Sequence, residues 1–366
     1  MILETTAGRE LARELDARRA GLAGALTDLH YERRPELAER YGPIGRERCL
    51  EDAAYHLTYL AEALAAGAPD LFADYVAWAK VMLEGRGIPA SDLSFNLETL
   101  RDVLRRELPA GQAALAAGYV EEGLARLPQL PSEPPPAMPP PPENGGGLLG
   151  GLAAGYLQAL LRGERHVASR LVLDAVESGV GVKDVYLHVF QHSQHEIGRL
   201  WQMNRLSVAQ EHYCTAATQL IMSQLYPYIF NTRRNDQVLV ATCVAGDLHE
   251  IGVRMVSDFF EIEGWDTFYL GANTPTASLI QTLREREADV LAVSATMAFH
   301  LRSLAALIAA VRASDVGERV RILVGGYPFN IVSDLWRLVG ADAVARDAEE
   351  SVAVAERLVR SPERPS

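Results

Sequence analysis

Two hydrophobic periods alternate along the chain. Over residues 1–126 apolar positions recur at intervals of three and four, as in Leu11, Leu15 and Leu22, Leu60 and Leu64, Phe72 and Val76, and Leu97, Leu100, Val103 and Leu104. That period lines up one face of a helix. Breakers at Pro35, Gly42-Pro43, Gly67-Ala68-Pro69, Gly87-Ile88-Pro89 and Pro109 cut the stretch into five or six helices. Asp70 and Ser91 suit helix starts. Short connections between such helices predict one N-terminal bundle. Residues 127–147 are rich in proline and then glycine and have no core-forming period. They read as an extended spacer with a glycine hinge, a proline-motif ligand being the alternative. The helical period returns over 148–231, as helices at 148–162, 164–177, 182–202 and 208–230. From 237 to 360 short apolar runs alternate with helical patterns. Strands fall near 237–243, 266–270, 289–294 and 320–324, with a short fifth at 342–345. Strand–helix alternation predicts a doubly wound parallel sheet of flavodoxin-like, Rossmann-like type. The predicted fold is multidomain, α and α/β: a helical bundle at 1–126, a linker at 127–147, four helices at 148–231 and an α/β domain at 237–360.

Composition narrows the function classes. The chain has 366 residues, 48% of them apolar, and a net charge of −13. The acidic balance argues against a generic nucleic-acid surface, although a local basic patch stays open. Cys49, Cys214 and Cys243 lie far apart, without metal-ligand spacing, and read as small buried apolar residues. The N-terminus lacks the pattern of a signal peptide, and no apolar run approaches membrane-spanning length. A cytoplasmic chain with no membrane partner is expected. The first strand is followed by neither Gly-x-Gly-x-x-Gly nor a Walker A sequence, so dinucleotide or ATP binding has little support.

The candidate chemistry clusters after the strands. Gly246-Asp247-Leu248-His249-Glu250-Ile251-Gly252 follows the first of them. In open α/β sheets ligands bind at that edge. A neutral imidazole such as His249 can serve as a metal ligand, and Asp247 two residues away can hold its other ring nitrogen and fix the tautomer. Gly252 would let a flat ligand approach the backbone. A lone histidine after a strand also serves simply as a loop or capping residue. Ser294 ends the strand at 289–294, and Gly325-Gly326 ends the one at 320–324. Asp347 could touch a ligand or cap the last helix, and its position favours the cap. In the third segment Trp201 is followed after nine residues by Glu211-His212. A helix-end Trp and a Glu-His pair early in the next helix can share one pocket, or can be a core Trp and a surface pair. In the N-terminal stretch Tyr55, His56 and Tyr59 share one helix, and Phe72, Tyr75 and Trp78 the next. Their spacing gives either an aromatic core or a wall for a flat ligand.

Asp247-x-His249-x-x-Gly252, with Ser294 and Gly325-Gly326 in order behind it, resembles the signature of cobalamin-binding domains. The resemblance implies a base-off cobalamin with His249 as lower axial ligand of cobalt. Ser294 would bond the nucleotide tail and the paired glycines would make room for its benzimidazole. The four helices at 148–231 would cap the corrin's upper face. Trp201 with Glu211-His212 resembles the CarH-type light-sensing cobalamin photoreceptors. That likeness implies adenosylcobalamin, with Trp201 covering the nucleoside and Glu211 accepting from its ribose.

Two departures matter. The N-terminal stretch has no winged-helix pattern, so DNA binding is not carried over. Gln202 stands where the type members have the histidine that ligates after illumination, which leaves water or His212, ahead of His195, for that position. The order of bundle, linker, cap and cobalamin domain, with the aromatic helices, is similar to the photocobilin subgroup. It implies a biliverdin on Tyr55, His56, Tyr59, Phe72, Tyr75 and Trp78, bound non-covalently or through Cys49. The expected function is light sensing, not enzymatic: photolysis of the cobalt–carbon bond repacks the cap and changes self-association or a downstream protein contact. The alternative is a corrinoid methyl carrier serving methyltransferases, and an adaptor with degenerate cobalamin binding comes third.

Overall fold

Helix covers the N-terminal stretch: α1 (Ile2–Arg33), α2 (Glu36–Ala66), α3 (Pro69–Glu84), α4 (Ala90–Glu107) and α5 (Ala110–Arg126). This is a computed structural model, and it describes residues 2–137, 147–230 and 233–360. The expected break at Gly42-Pro43 is present: Gly42 leaves helical geometry (φ 64°, ψ −167°), so α2 is two helices meeting at a kink. Proline cannot donate to the preceding turn, and glycine tolerates the left-handed region, so the pair makes a kink. The apolar faces meet inside: Leu11, Leu15, Leu60, Phe72, Val76, Leu97 and Leu100 are fully buried. Two further segments, 297–302 and 327–339, form one compact unit with residues 1–132. Arg302 donates to Glu62 (2.8 Å) and Asp16 (2.5 Å), and Tyr327 donates to Asp74 (2.9 Å).

The second compact unit comprises 133–296, 303–326 and 340–366. It begins with α6 (Leu148–Leu161), α7 (Arg165–Glu177), α8 (Val182–Val185), α9 (His192–Gln202), α10 (Val208–Gln224) and α11 (Tyr226–Ile229). A π-helical turn over Tyr186–Gln191 joins α8 to α9, so the helix expected over 182–202 runs through with one widened turn. Such turns are uncommon and gather at functional sites. Tyr156, Tyr186 and Phe190 fill the core of these helices. Tyr156 shares a hydrogen bond with Thr218 (2.8 Å). Tyr186 donates to Asp258 (2.7 Å), whose carboxyl burial pushes up to about 6.

Part of the expected spacer, residues 138–146, lies outside the described residues. The part just before it is not free. Glu133 pairs with Arg205, Pro134 O accepts from Arg199 (3.2 Å), and Ala137 N donates to Glu196 (3.0 Å). An extended proline segment has no ladder partners for its backbone groups, and the Glu196–Arg199 pair on α9 supplies them.

The sheet is β1 (Val238–Cys243), β2 (Asp266–Tyr269), β3 (Val290–Ser294), β4 (Arg321–Gly325) and β5 (Ala343–Val344). All pairs are parallel, in the order β2-β1-β3-β4-β5. Between them run α12 (Ile251–Ile262), α13 (Thr276–Glu285), α14 (Leu301–Arg312), α15 (Tyr327–Ile331) and α16 (Leu335–Val339), and α17 (Ala348–Arg360) closes the fold. β1, β3 and β4 are buried along nearly their whole length. Continuous Val, Ile, Leu and Ala runs suit strands covered on both faces. This is the expected flavodoxin-like order, and it reverses direction between β1 and β3, where such sheets open a crevice. Asp347 caps α17 by accepting from Glu350 N (2.8 Å).

Candidate functional site

The crevice between the ends of β1 and β3 holds the His249 loop. Cys243 lies beside Ser294, and Ser294 beside Gly325, so all three strand ends form one edge. The loop is pinned from both sides. Gly246 takes φ 89°, which only glycine adopts readily, and its N–H donates to Asn273 Oδ1 (2.9 Å) after β2. Asp247 is fully buried. Its Oδ2 accepts from Thr296 N (2.5 Å) after β3. Its Oδ1 accepts from His249 N (3.0 Å) and meets His249 Nδ1 at 2.8 Å.

That arrangement defines the imidazole. With Nδ1 engaged by a carboxylate, Nε2 is the nitrogen available to a metal. The ring is 60% exposed although its anchor is buried. The hydrogen bond to Asp247 raises the His249 pKa above the usual histidine value, opposed by partial desolvation and aided by the charges of Asp247 and Glu211. Among the described residues no cluster of three or more His, Cys, Asp or Glu could hold a metal ion. A corrinoid needs no such cluster, because its ring supplies four nitrogens to cobalt and the protein adds one axial ligand.

Gly252 bears on the same fit. Its φ is not left-handed, and a Cβ there would meet nothing within 4 Å. Neither backbone conformation nor internal packing demands glycine at 252, and the space beside it is open. Gly326 is the reverse case. It has φ 113°, and a Cβ would fall 2.1 Å from Ala295 O. A Cβ on Gly325 would lie 3.0 Å from Ala345 O. The chain's own close packing thus calls for glycine at 326 and leaves little space for a Cβ at 325. Ser294 is half-buried, and its carbonyl accepts from Val244 N (2.9 Å).

The preceding helices reach the loop. Gln219 on α10 donates to Glu250 (2.9 Å), next to His249. α10 starts at a reciprocal capping box between Ser207 and Gln210, which sets Glu211 in its first turn. Glu211 accepts from Thr215 (2.9 Å) and lies 3.8 Å from the exposed His212. Trp201 is half-buried against the core at the end of α9, beside the half-buried Gln202. The structure thus brings Glu211 within electrostatic reach of His249. Gln219, Glu250, Asn273 and Thr296 complete the site. None of them carries a sequence signal, because each acts through one long-range bond and Thr296 through its backbone.

The six N-terminal aromatic positions do not share one surface. Tyr59 and Tyr75 stack at 3.9 Å, Phe72 and Tyr75 pack at 5.9 Å, and His56 Nδ1 bonds Tyr75 OH at 2.8 Å. These four residues are buried, Trp78 is half-buried, and Tyr55 is 56% exposed. Cys49 is half-buried, Cys214 and Cys243 are buried, and all three are free thiols. Burial pushes Cys49 and Cys214 up to about 11 and Cys243 to about 12, so none is a ready nucleophile.

Known proteins resemble part of this chain. Residues 237–356 match the family model described as B12 binding domain, and residues 152–226 match a second model of the same description. The dimethylamine corrinoid protein 3 of Methanosarcina acetivorans is 32% identical over 123 residues, 33% of this chain and 56% of that protein. The dimethylamine corrinoid protein of Methanosarcina barkeri is 31% identical over the same length and shares. The chain therefore spans about half the length of these curated relatives. A corrinoid protein of Desulfitobacterium hafniense is 22% identical over 207 residues, 55% of this chain and 94% of the relative. In three dimensions the monomethylamine corrinoid protein of Methanosarcina barkeri covers 57% of this chain and 98% of its own, with a TM-score of 0.51 at 21% identity, which shows the fold.

Residues 152–226 and 237–356 are thus similar to B12-binding domains, and the cofactor these matches indicate is a corrinoid. These relatives are named as corrinoid proteins. They do not support the light-sensing branch expected from Trp201 and Glu211-His212. No helix among the described residues is long and apolar enough to cross a membrane.

Proposed function

We propose that the chain is a corrinoid carrier that binds cobalamin base-off, with His249 on cobalt, and presents a methyl group to methyltransferase partners. The Asp247–His249 pair carries this reading: a buried carboxylate orients an exposed, otherwise unclustered imidazole at the sheet's crevice. The methylamine corrinoid relatives supply the choice of cargo. Asp247 would hold the tautomer, Gly252 would admit the ring, and the cap with Trp201, Glu211 and His212 would cover the upper face. Ser294 and the Gly325-Gly326 edge would border the nucleotide tail.

A second reading rests on a different observation. Glu211 is near enough to act on His249 electrostatically, and a carboxylate in the cap is an acceptor for ribose hydroxyls. It supports selection of adenosylcobalamin and, with it, light-dependent release of adenosine and changed self-association. The biliverdin reading goes with it; for the carrier we assign His56, Tyr59, Phe72 and Tyr75 to the bundle core.

One experiment separates the two. Purified protein is loaded in the dark with methylcobalamin or adenosylcobalamin, and both affinities are measured for wild type and Glu211→Gln. The carrier binds methylcobalamin at least as tightly, and the substitution moves both affinities alike. A preference for the adenosyl form of about tenfold or more, lost in Glu211→Gln, moves the assignment to the photoreceptor; losing one bond to a buried hydroxyl costs about 1–3 kcal/mol.

A further inference from the structure

The N-terminal bundle contains a cavity of about 240 Å³. It lies within one compact unit and draws its walls from α1, α2 and α4, closed by Leu83 and Ile88. Its mouth is at the kink of α2: Ile44, two residues past Gly42, lines the cavity and is 70% exposed. None of these residues belongs to the His249 site.

Two polar atoms on its walls have no hydrogen-bond partner, His30 Nδ1 and Asn96 Oδ1, and their residues are only 5% and 8% exposed. Folded interiors pair such atoms almost without exception, so each one marks a place for a ligand or a water. The neighbouring groups are already engaged. Asp92 accepts from Arg34 (3.1 Å), Arg40 (3.4 Å) and Tyr41 (2.7 Å), and its charge is answered within the protein. Asn96 Nδ2 faces Cys49 Sγ at 3.5 Å, which leaves its oxygen to accept from something else.

Of the other charged groups on the walls, Arg48 pairs with Glu51 (2.6 Å), and burial pushes the Asp52 carboxyl up to about 6. Burial, with the charge of Arg34 adding to it, lowers His30 to about 4, and burial lowers His56 to about 4. Cys49 stays a thiol at neutral pH. Aromatic rings at Tyr31, Tyr41 and His30 line it together with Leu37, Ile88 and Leu93. Rings of this kind favour a flat partner. Size sets the last limit. An apolar cavity of about 150 Å³ takes benzene, so by volume this one takes about ten non-hydrogen atoms. That is far below a tetrapyrrole and matches two fused small rings.

We propose that this cavity is a binding site for a small, neutral, planar, bicyclic nitrogen heterocycle. A ring N–H of the ligand donates to Asn96 Oδ1, and a second polar edge pairs with His30 Nδ1. The apolar and aromatic walls take its faces, and entry is past Ile44 at the kink.

The test is calorimetric titration of the full chain with adenine and with benzimidazole, using benzoate as the charged counterpart. At least one heterocycle should saturate a single site with a Kd below roughly 1 mM, and benzoate should bind at least about tenfold more weakly. Asn96→Leu removes the acceptor, and Ile88→Phe fills space from the half-buried rim while keeping both polar groups. Each should weaken binding about fivefold or more, the scale of one lost hydrogen bond. His249→Ala should leave it unchanged. If Asn96→Leu loses its cooperative melt, Ile88→Phe decides alone. Failure of both heterocycles to saturate at roughly 5 mM overturns the proposal. So does binding that survives a folded Asn96→Leu and Ile88→Phe alike, and so does binding lost in His249→Ala, which would put the probe in the corrinoid crevice.

Discussion

Replacing His249 by alanine is expected to weaken corrinoid retention by about a hundredfold, roughly 2.7 kcal/mol. The imidazole is the one side chain of the loop that is both exposed and oriented, and Asp247 at 2.8 Å holds its Nδ1. Equilibrium dialysis against hydroxocobalamin measures the loss, and the absorption spectrum reports whether nitrogen ligation has gone. The dependence on pH has a definite sign. The hydrogen bond that His249 donates to Asp247 raises the His249 pKa. A protonated imidazole has no lone pair for cobalt, so acidification through that raised pKa weakens binding in wild type. The alanine variant loses this acid limb. Undiminished affinity with an unchanged spectrum would remove His249 from the site.

Asp247→Asn is expected to do nearly as much damage without touching the metal ligand. The carboxylate serves at least three donors: His249 Nδ1 and His249 N on Oδ1, and Thr296 N on Oδ2. An amide has one oxygen. With that oxygen toward His249, its NH2 faces the N–H of Thr296; turned round, it faces those of His249. Either way a buried donor loses its acceptor, at about 1–3 kcal/mol of stability. The imidazole also loses the partner that fixes its tautomer, and such outer partners are worth about 10–100-fold in metal affinity. Urea unfolding of the corrinoid-free protein measures the first effect, and cobalamin titration the second. A variant with wild-type stability and affinity would mean that the buried carboxylate neither braces the crevice nor orients the histidine.

Much of this arrangement is legible in the sequence because it rests on local period and on residues close together in the chain. Val, Leu and Ala runs bounded by polar turns mark β1, β3 and β4, and alternation with helices fixes a parallel sheet. Asp247 and His249 are two residues apart, so their contact can be anticipated from spacing. What escapes is carried by distance or by backbone. Gln219 meets Glu250 across 31 positions, and Thr296 takes part through its N–H alone. Residues 133–137 look like free spacer because proline hides every periodic signal, yet they are fastened to Glu196 and Arg199 on α9. The aromatic spacing of α2 and α3 admits a core or a wall, and period cannot choose between them. Tyr59 stacked on Tyr75 and His56 bonded to it describe interior packing, while Tyr55 faces solvent. Gly325 and Gly326 look like clearance for a ligand, but for Gly326 a backbone carbonyl 2.1 Å from an added Cβ gives the chain its own reason.

Electron paramagnetic resonance of the cobalt(II) form tests most directly whether His249 holds the metal. Protein grown on 15N is loaded with cobalamin of natural isotopic content, and the corrinoid is reduced. Cobalt(II) carries its unpaired electron along the axial direction, so the axial nitrogen splits each line. Ligation by His249 turns the three-line pattern of 14N into the two-line pattern of 15N, and His249→Ala abolishes the doublet. A three-line pattern that persists in the labelled protein would show that the axial nitrogen comes from the cobalamin's own benzimidazole, which would contradict base-off binding through His249.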